Sequence, residues 1–134
     1  DMGGRTHLFS FFPEEGSRLA GHPQPPPGQF RRMQVARFLI DEGISREGGF
    51  AYDQNDRVLE FGIAGEDLDR VVESGVPFMT SGCPDENGQV ACNRPYGDSI
   101  PGPDIRSFPF MPEEGDLKKI RAELKTYRSL EARP

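Results

Sequence analysis

Proline and glycine set the first limit on what this chain can fold into. Thirteen prolines and 16 glycines occur among its 134 residues. Proline fixes φ and removes a backbone donor, and glycine loses the most conformational freedom when ordered. Together they exceed a fifth of the chain, so much of it must be loop, with regular elements short and well separated. The length fits one domain or part of a larger one. Apolar residues make up 34% without counting glycine. Adding the glycines brings the figure near the roughly 45–50% of ordinary globular domains, so a packed core is within reach.

Charge and cysteine content remove several classes. A net charge of −6 argues against nucleic acid as a main partner, because phosphate binding needs clustered Lys and Arg. No run approaches 18 apolar residues, so no membrane span is expected. No basic-then-apolar leader is present, and a soluble, cytoplasmic location is expected. Two cysteines are too few for a disulfide-rich secreted scaffold. The start at Asp1 suits a portion of a longer polypeptide.

Several elements can be read along the chain. Thr6 to Phe12 is short, aromatic and bounded by Gly-Gly and Pro, which predicts a buried strand of a parallel sheet. Pro13 to Ser17 reads as the loop leaving it. His22 to Gly28 holds four prolines and reads as polyproline geometry. Gln29 to Glu42 is the best helix, with Phe30, Met33, Ala36, Leu39 and Ile40 at helical spacing and Arg31, Arg32 and Arg37 on a solvated face. Gly43 is its stop. Strand, loop and helix make one βα unit, so the expected class is α/β. Phe50 to Ile63 predicts a hairpin turning at Asp53-Gln54-Asn55-Asp56. Gly65 to Ser74 predicts a short helix burying Leu68, Val71 and Val72, and Val76 to Thr80 another buried strand. Ser81 to Pro112 reads as a long, ordered loop holding both cysteines. Glu113 to Arg128 predicts a final amphipathic helix on Leu117, Ile120, Leu124 and Tyr127.

The most specific chemistry lies in that loop. Thr80-Ser81-Gly82-Cys83-Pro84 is followed by Ala91-Cys92-Asn93-Arg94-Pro95-Tyr96-Gly97, so two thiols flank eight intervening residues in a Gly/Pro-rich setting. Thiolates bind soft metals and iron–sulfur clusters, with Ser81 as a candidate oxygen ligand. The alternatives are two small buried cysteines or a disulfide closing the loop. Arg94 and Arg106 can clamp a carboxylate or phosphate, or satisfy loop carbonyls. His7 and Ser10 lie on the first expected strand, and Glu14 and Ser17 just beyond its carboxyl end. Ligands of parallel α/β folds bind there. The alternatives are a satisfied core histidine and a solvated Glu pair.

Residues 6–17 (Thr-His-Leu-Phe-Ser-Phe-Phe-Pro-Glu-Glu-Gly-Ser), the proline spacer and Arg31 to Ile40 together resemble the late βα units of biotin-synthase-related radical SAM proteins. The stretch from Phe78 to Phe110 is similar to the C-terminal cysteine loop of that group. The two-protein lipoyl synthase type is the nearest comparison. The resemblance implies the C-terminal part of a partial (β/α) barrel. Residues 1–75 would be late βα units with a hairpin insertion, and residues 76–134 the cysteine-loop region and terminal helix. It implies S-adenosylmethionine and a [4Fe–4S] cluster as cofactors, a sulfur-inserting reaction, and a small-molecule or lipoyl-carrier substrate. Cys83, Cys92 and Ser81 would then ligate an auxiliary cluster. Ser10, Glu14, Ser17, Arg94 and Arg106 would contact cofactor or substrate. The family's Cys-x3-Cys-x-x-Cys motif is absent from this sequence. The radical-generating half must therefore lie elsewhere, as a partner or preceding sequence, and this chain alone should not cleave S-adenosylmethionine. Sheet edges left by such a slice predict self-association or partner binding. The rivals are a noncatalytic iron–sulfur or zinc module that docks on a partner enzyme, and a plain α/β interaction domain with inert cysteines.

Overall fold

The computed structural model of the chain describes residues 6–93 and 102–129. Its elements are mixed: three helices and two small antiparallel hairpins, with no parallel pairing among the described residues beyond one isolated bridge. Helix α1 (Pro27–Asp41) is central. It begins where the polyproline segment ends, with extended Pro26 before it and Pro27 in the first turn, where a missing N–H costs nothing. Gly43 stops it at φ 66°, donating to the Ile40 carbonyl, while Ile44 N–H returns to Leu39 O.

Hairpin β1 (Ala51–Tyr52) and β2 (Val58–Glu60) follows, then helix α2 (Gly65–Glu73). Gly75 ends this run in a left-handed conformation (φ 72°). A second hairpin, β3 (Cys83–Pro84) and β4 (Val90–Cys92), precedes the last helix, α3 (Glu114–Ser129). One core joins all this: Val35 and Leu39 of α1 meet Val72 of α2, Phe78, Phe108 and Ile120 of α3. It draws on residues from both sides of position 75. Helices α1 and α3 cross at Gly28, where a Cβ would land on the Glu123 carbonyl oxygen and come within 2.9 Å of Thr126 Oγ1. Glycine is what allows that approach.

Helix α1 differs from its expected orientation. Periodicity aims Met33 and Ile40 inward, but each is 44% exposed, while Arg31 and Arg32 are buried. The reason is the helix's surroundings. Helix α3, strand β2 and the turn at 76–78 all pack on it, and strand β2, helix α3 and the loop at 105–106 present carbonyl groups that must be satisfied. Arg31 Nη2 donates to Ile105 O (2.9 Å) and its Nη1 to Arg106 O (2.5 Å). Arg32 Nη1 donates to Val58 O (3.1 Å) and Leu59 O (2.8 Å). A guanidinium carries five donors in a fixed fork, so one side chain can tie several strand-edge and loop carbonyls together. Arg31 is also ion-paired through Nε to Glu123 (2.7 Å). Burial pushes its pKa below the ordinary guanidinium value, and the hydrogen bond and charge of Glu123 push it back up. Arg37 comes nearest to the expected solvated face, yet its side chain is largely covered, and it pairs with Asp41 at 3.3 Å.

The two expected buried strands also change character. Thr6 to Phe12 runs without strand pairing, with Phe9 59% exposed and Ser10 buried. An aromatic run makes a buried strand only where a sheet covers it, and the described residues hold no such sheet. Val76 to Phe78 is a 3-10 turn containing Pro77. Pairing in the 76–80 stretch reduces to a parallel bridge, with Thr80 N–H on Phe108 O (2.8 Å) and Phe108 N–H on Phe78 O (2.9 Å). Pro77 has no N–H to extend it. Leu117 and Ile120 of α3 are buried as expected, whereas Tyr127 has a side chain outside those described.

Both hairpins turn by one device. Asp53 Oδ1 accepts from Asn55 N (2.8 Å) and Arg57 N (2.9 Å), and Asp85 Oδ1 accepts from Asn87 N (2.8 Å) and Gln89 N (2.9 Å). The fourth loop position is left-handed in each, Asp56 (φ 58°) and Gly88 (φ 76°). The Asp-x-Asn pattern thus closes its own loop through Asx-type bonds.

Candidate functional site

The cysteines sit on the second of these hairpins. Chain reversal at Asp85–Gly88 brings β4 back along β3, and Asp85 N–H donates to Gln89 O (2.7 Å). In the resulting register Cys83 lies directly opposite Cys92 and Pro84 opposite Val90, with an irregularity between the two pairs. Both thiols are free and exposed. Gly82 makes the close approach possible. It is left-handed (φ 71°), and a Cβ there would come within 2.6 Å of Val90 Cγ1 and 3.3 Å of Cys92 O.

The open end of the hairpin is tied to the body from both strands. Ser81 Oγ and His7 Nδ1 are hydrogen-bonded at 2.7 Å, which brings the N-terminal segment beside the cysteine strand. Thr80 Oγ1 donates to Asn93 Oδ1, and Asn93 Nδ2 donates to Pro109 O (2.7 Å). The Met79–Phe108 bridge and the Thr80–Asn93–Pro109 hydrogen bonds thus anchor the residues that precede Cys83 and follow Cys92. A cleft of about 350 Å³ borders Ser81, lined also by Thr6, Arg37, Asp41, Met79 and Thr80. That volume is in the range of small-molecule sites.

The expected site residues fall in separate places. Ser81, Cys83 and Cys92 come together. Ser10 and Arg106 both serve the proline spacer: Ser10 accepts from Gln24 Nε2 (3.3 Å), and Arg106 Nη1 donates to Pro25 O (2.5 Å) with its guanidinium over the Phe30 ring. Glu14 and Ser17 close a surface turn, where Ser17 Oγ donates to Glu14 O at 2.8 Å. Arg94 lies outside the described residues. Sequence reasoning did not place His7 at the cysteine strand or Asn93 as its anchor. No local pattern signals either contact, because His7 and Ser81 are 74 positions apart.

Two thiolates are half of the set that a tetrahedral zinc or a [4Fe–4S] cluster takes. Among the described residues no group of three or more His, Cys, Asp or Glu is placed to hold a metal. Ser81 already engages His7. Among the described residues the two thiols by themselves do not complete such a set. Among the described residues no helix is long and apolar enough to cross a membrane. Comparison with protein-family models, curated proteins and solved structures gives no match for this chain.

Proposed function

We propose that this chain is a thiolate-bearing module in which Cys83 and Cys92 supply two ligands to a soft-metal or iron–sulfur centre completed by other protein. The observation that carries it is the cross-strand register of the two exposed thiols on a hairpin anchored at its base. Exposure leaves both ligands open to a docking surface, and thiolates are the side chains such centres select.

The finer form of the reading makes the chain the C-terminal part of a biotin-synthase-related radical SAM enzyme of sulfur-inserting type. The sequence resemblance over residues 6–40 and 78–110 supports it. The partner is then the half that carries the Cys-x3-Cys-x-x-Cys motif and S-adenosylmethionine, the barrel is completed between the two, and the location is cytoplasmic. An auxiliary cluster, when bound, would supply sulfur to a small-molecule or lipoyl-carrier substrate. Cys83 and Cys92 would hold it, and Ser10, Glu14, Ser17, Arg94 and Arg106 would remain as cofactor or substrate contacts.

Anaerobic reconstitution with ferrous iron and sulfide, and separately with zinc, tests the reading. With a small-molecule thiol present to stand in for the partner's ligands, the expected result is uptake of one centre per chain held by Cys83 and Cys92, and loss of uptake in Cys83→Ser and Cys92→Ser. Zinc without an iron–sulfur chromophore would favour a structural metal module over the radical SAM form. A colourless, metal-free chain with two titratable thiols under both conditions would sink the proposal.

A further inference from the structure

We infer that Cys83 and Cys92 form a thiol–disulfide exchange site that takes a small-molecule disulfide of the glutathione class and closes into an intrachain bridge. The inference rests on the hairpin alone and stands or falls independently of metal binding. Residues directly opposed in an antiparallel pair have Cα atoms about 4.5–5.5 Å apart. That lies inside the roughly 4.4–6.8 Å that disulfides span. Cys83 and Cys92 are such a pair. Three features hold them there: the Asp85 loop that sets the register, the glycine at 82 that lets the strands approach, and the Asn93 anchor at the open end. Both cysteines are free and exposed, open to a reagent in solution.

The chemistry balances in two exchanges. One cysteine thiolate attacks a sulfur of the reagent; its S–S bond breaks, a mixed disulfide forms, and one thiolate leaves. The opposed cysteine then attacks the protein sulfur of that mixed disulfide, the Cys83–Cys92 bond forms, and the second thiol leaves. Two electrons and two protons pass from the protein dithiol to the reagent. The second step is fast only if the two sulfurs can meet, which side chains on directly opposed residues allow.

The test uses the full chain, reduced and desalted without oxygen, then equilibrated with graded ratios of glutathione and glutathione disulfide. Intact mass and thiol titration are read after an acid quench. The expected result is loss of two thiols without retained glutathione, in a monomeric species whose Cys83 and Cys92 peptides are linked. Cys92→Ser and Cys83→Ser should each instead retain one glutathione on the remaining cysteine. Both substitutions are at exposed positions, so folding is checked by an unchanged circular dichroism spectrum. Glutathione retained on both cysteines of the unsubstituted chain, disulfide-linked dimers, or two thiols unchanged under the most oxidising ratio would each overturn the inference.

Discussion

Replacing Arg31 with Met removes a charge that the structure places at the meeting of α1, α3 and the loop at 105–106. Arg31 is 2% exposed, and its guanidinium serves four acceptors: Glu123, Gln34, Ile105 O and Arg106 O. Arg106 O keeps a second donor in Gln34 Nε2 (2.8 Å), so that carbonyl is not orphaned by the change. Glu123 is left with Lys119, whose Nζ is 3.9 Å away and half-exposed. Breaking a buried ion pair from one side costs about 3–5 kcal/mol. The remote lysine and partial exposure of Glu123 place the expected loss near the lower end, about 3 kcal/mol. At ~4 °C per kcal/mol for a chain of this length, the melting temperature should fall by about 12 °C. Thermal circular dichroism and urea unfolding measure this, with the midpoint moving at constant m. Pairing Arg31→Met with Glu123→Leu should recover much of the loss, because the orphaned carboxylate goes as well. A single Arg31→Met within ~1 kcal/mol of the parent would refute the argument, since it would mean that the guanidinium holds nothing that solvent cannot.

Three further outcomes follow from packing and turn geometry. Gly28→Ala should destabilise the chain by about 1–3 kcal/mol, as its Cβ must displace the backbone of α3; calorimetry reads this. Met33→Lys should change stability by less than ~0.5 kcal/mol, whereas Leu39→Ala, in the same helix, should cost about 2–5 kcal/mol, which urea midpoints distinguish. Asp85→Ala removes the acceptor for two backbone N–H groups, so amide exchange at Asn87 and Gln89 should speed up and bridge closure with glutathione disulfide should slow, with global stability nearly unchanged.

The legible part of the fold was the part written locally. Helix α2 and the β1–β2 hairpin lie where spacing and turn residues put them, because Gly75 and Asp53 act within a few positions of themselves. The β3–β4 hairpin carried the same signal in Asp85-Glu86-Asn87-Gly88 and was hidden by the prolines around it. Asn-Gly between two short runs is a hairpin cue, and here it sits in a proline-rich stretch that otherwise reads as loop. The N-terminal aromatic run misled for the opposite reason. Its composition suits a covered strand, but no neighbouring strand is present among the described residues to pair with it.

Sequence alone determined that this chain would be loop-rich, where along it the three α-helices would lie, and that its two thiols would fall in one Gly/Pro-rich segment. Proline, glycine and Asx residues act on the backbone nearest to them, so those outcomes need no partner. Tertiary structure decided which face of α1 is buried, that two arginines belong inside, and that the two cysteines stand opposite one another. Each of these depends on carbonyls and strands contributed from distant positions, and a guanidinium is buried only where the folded chain brings enough acceptors around it.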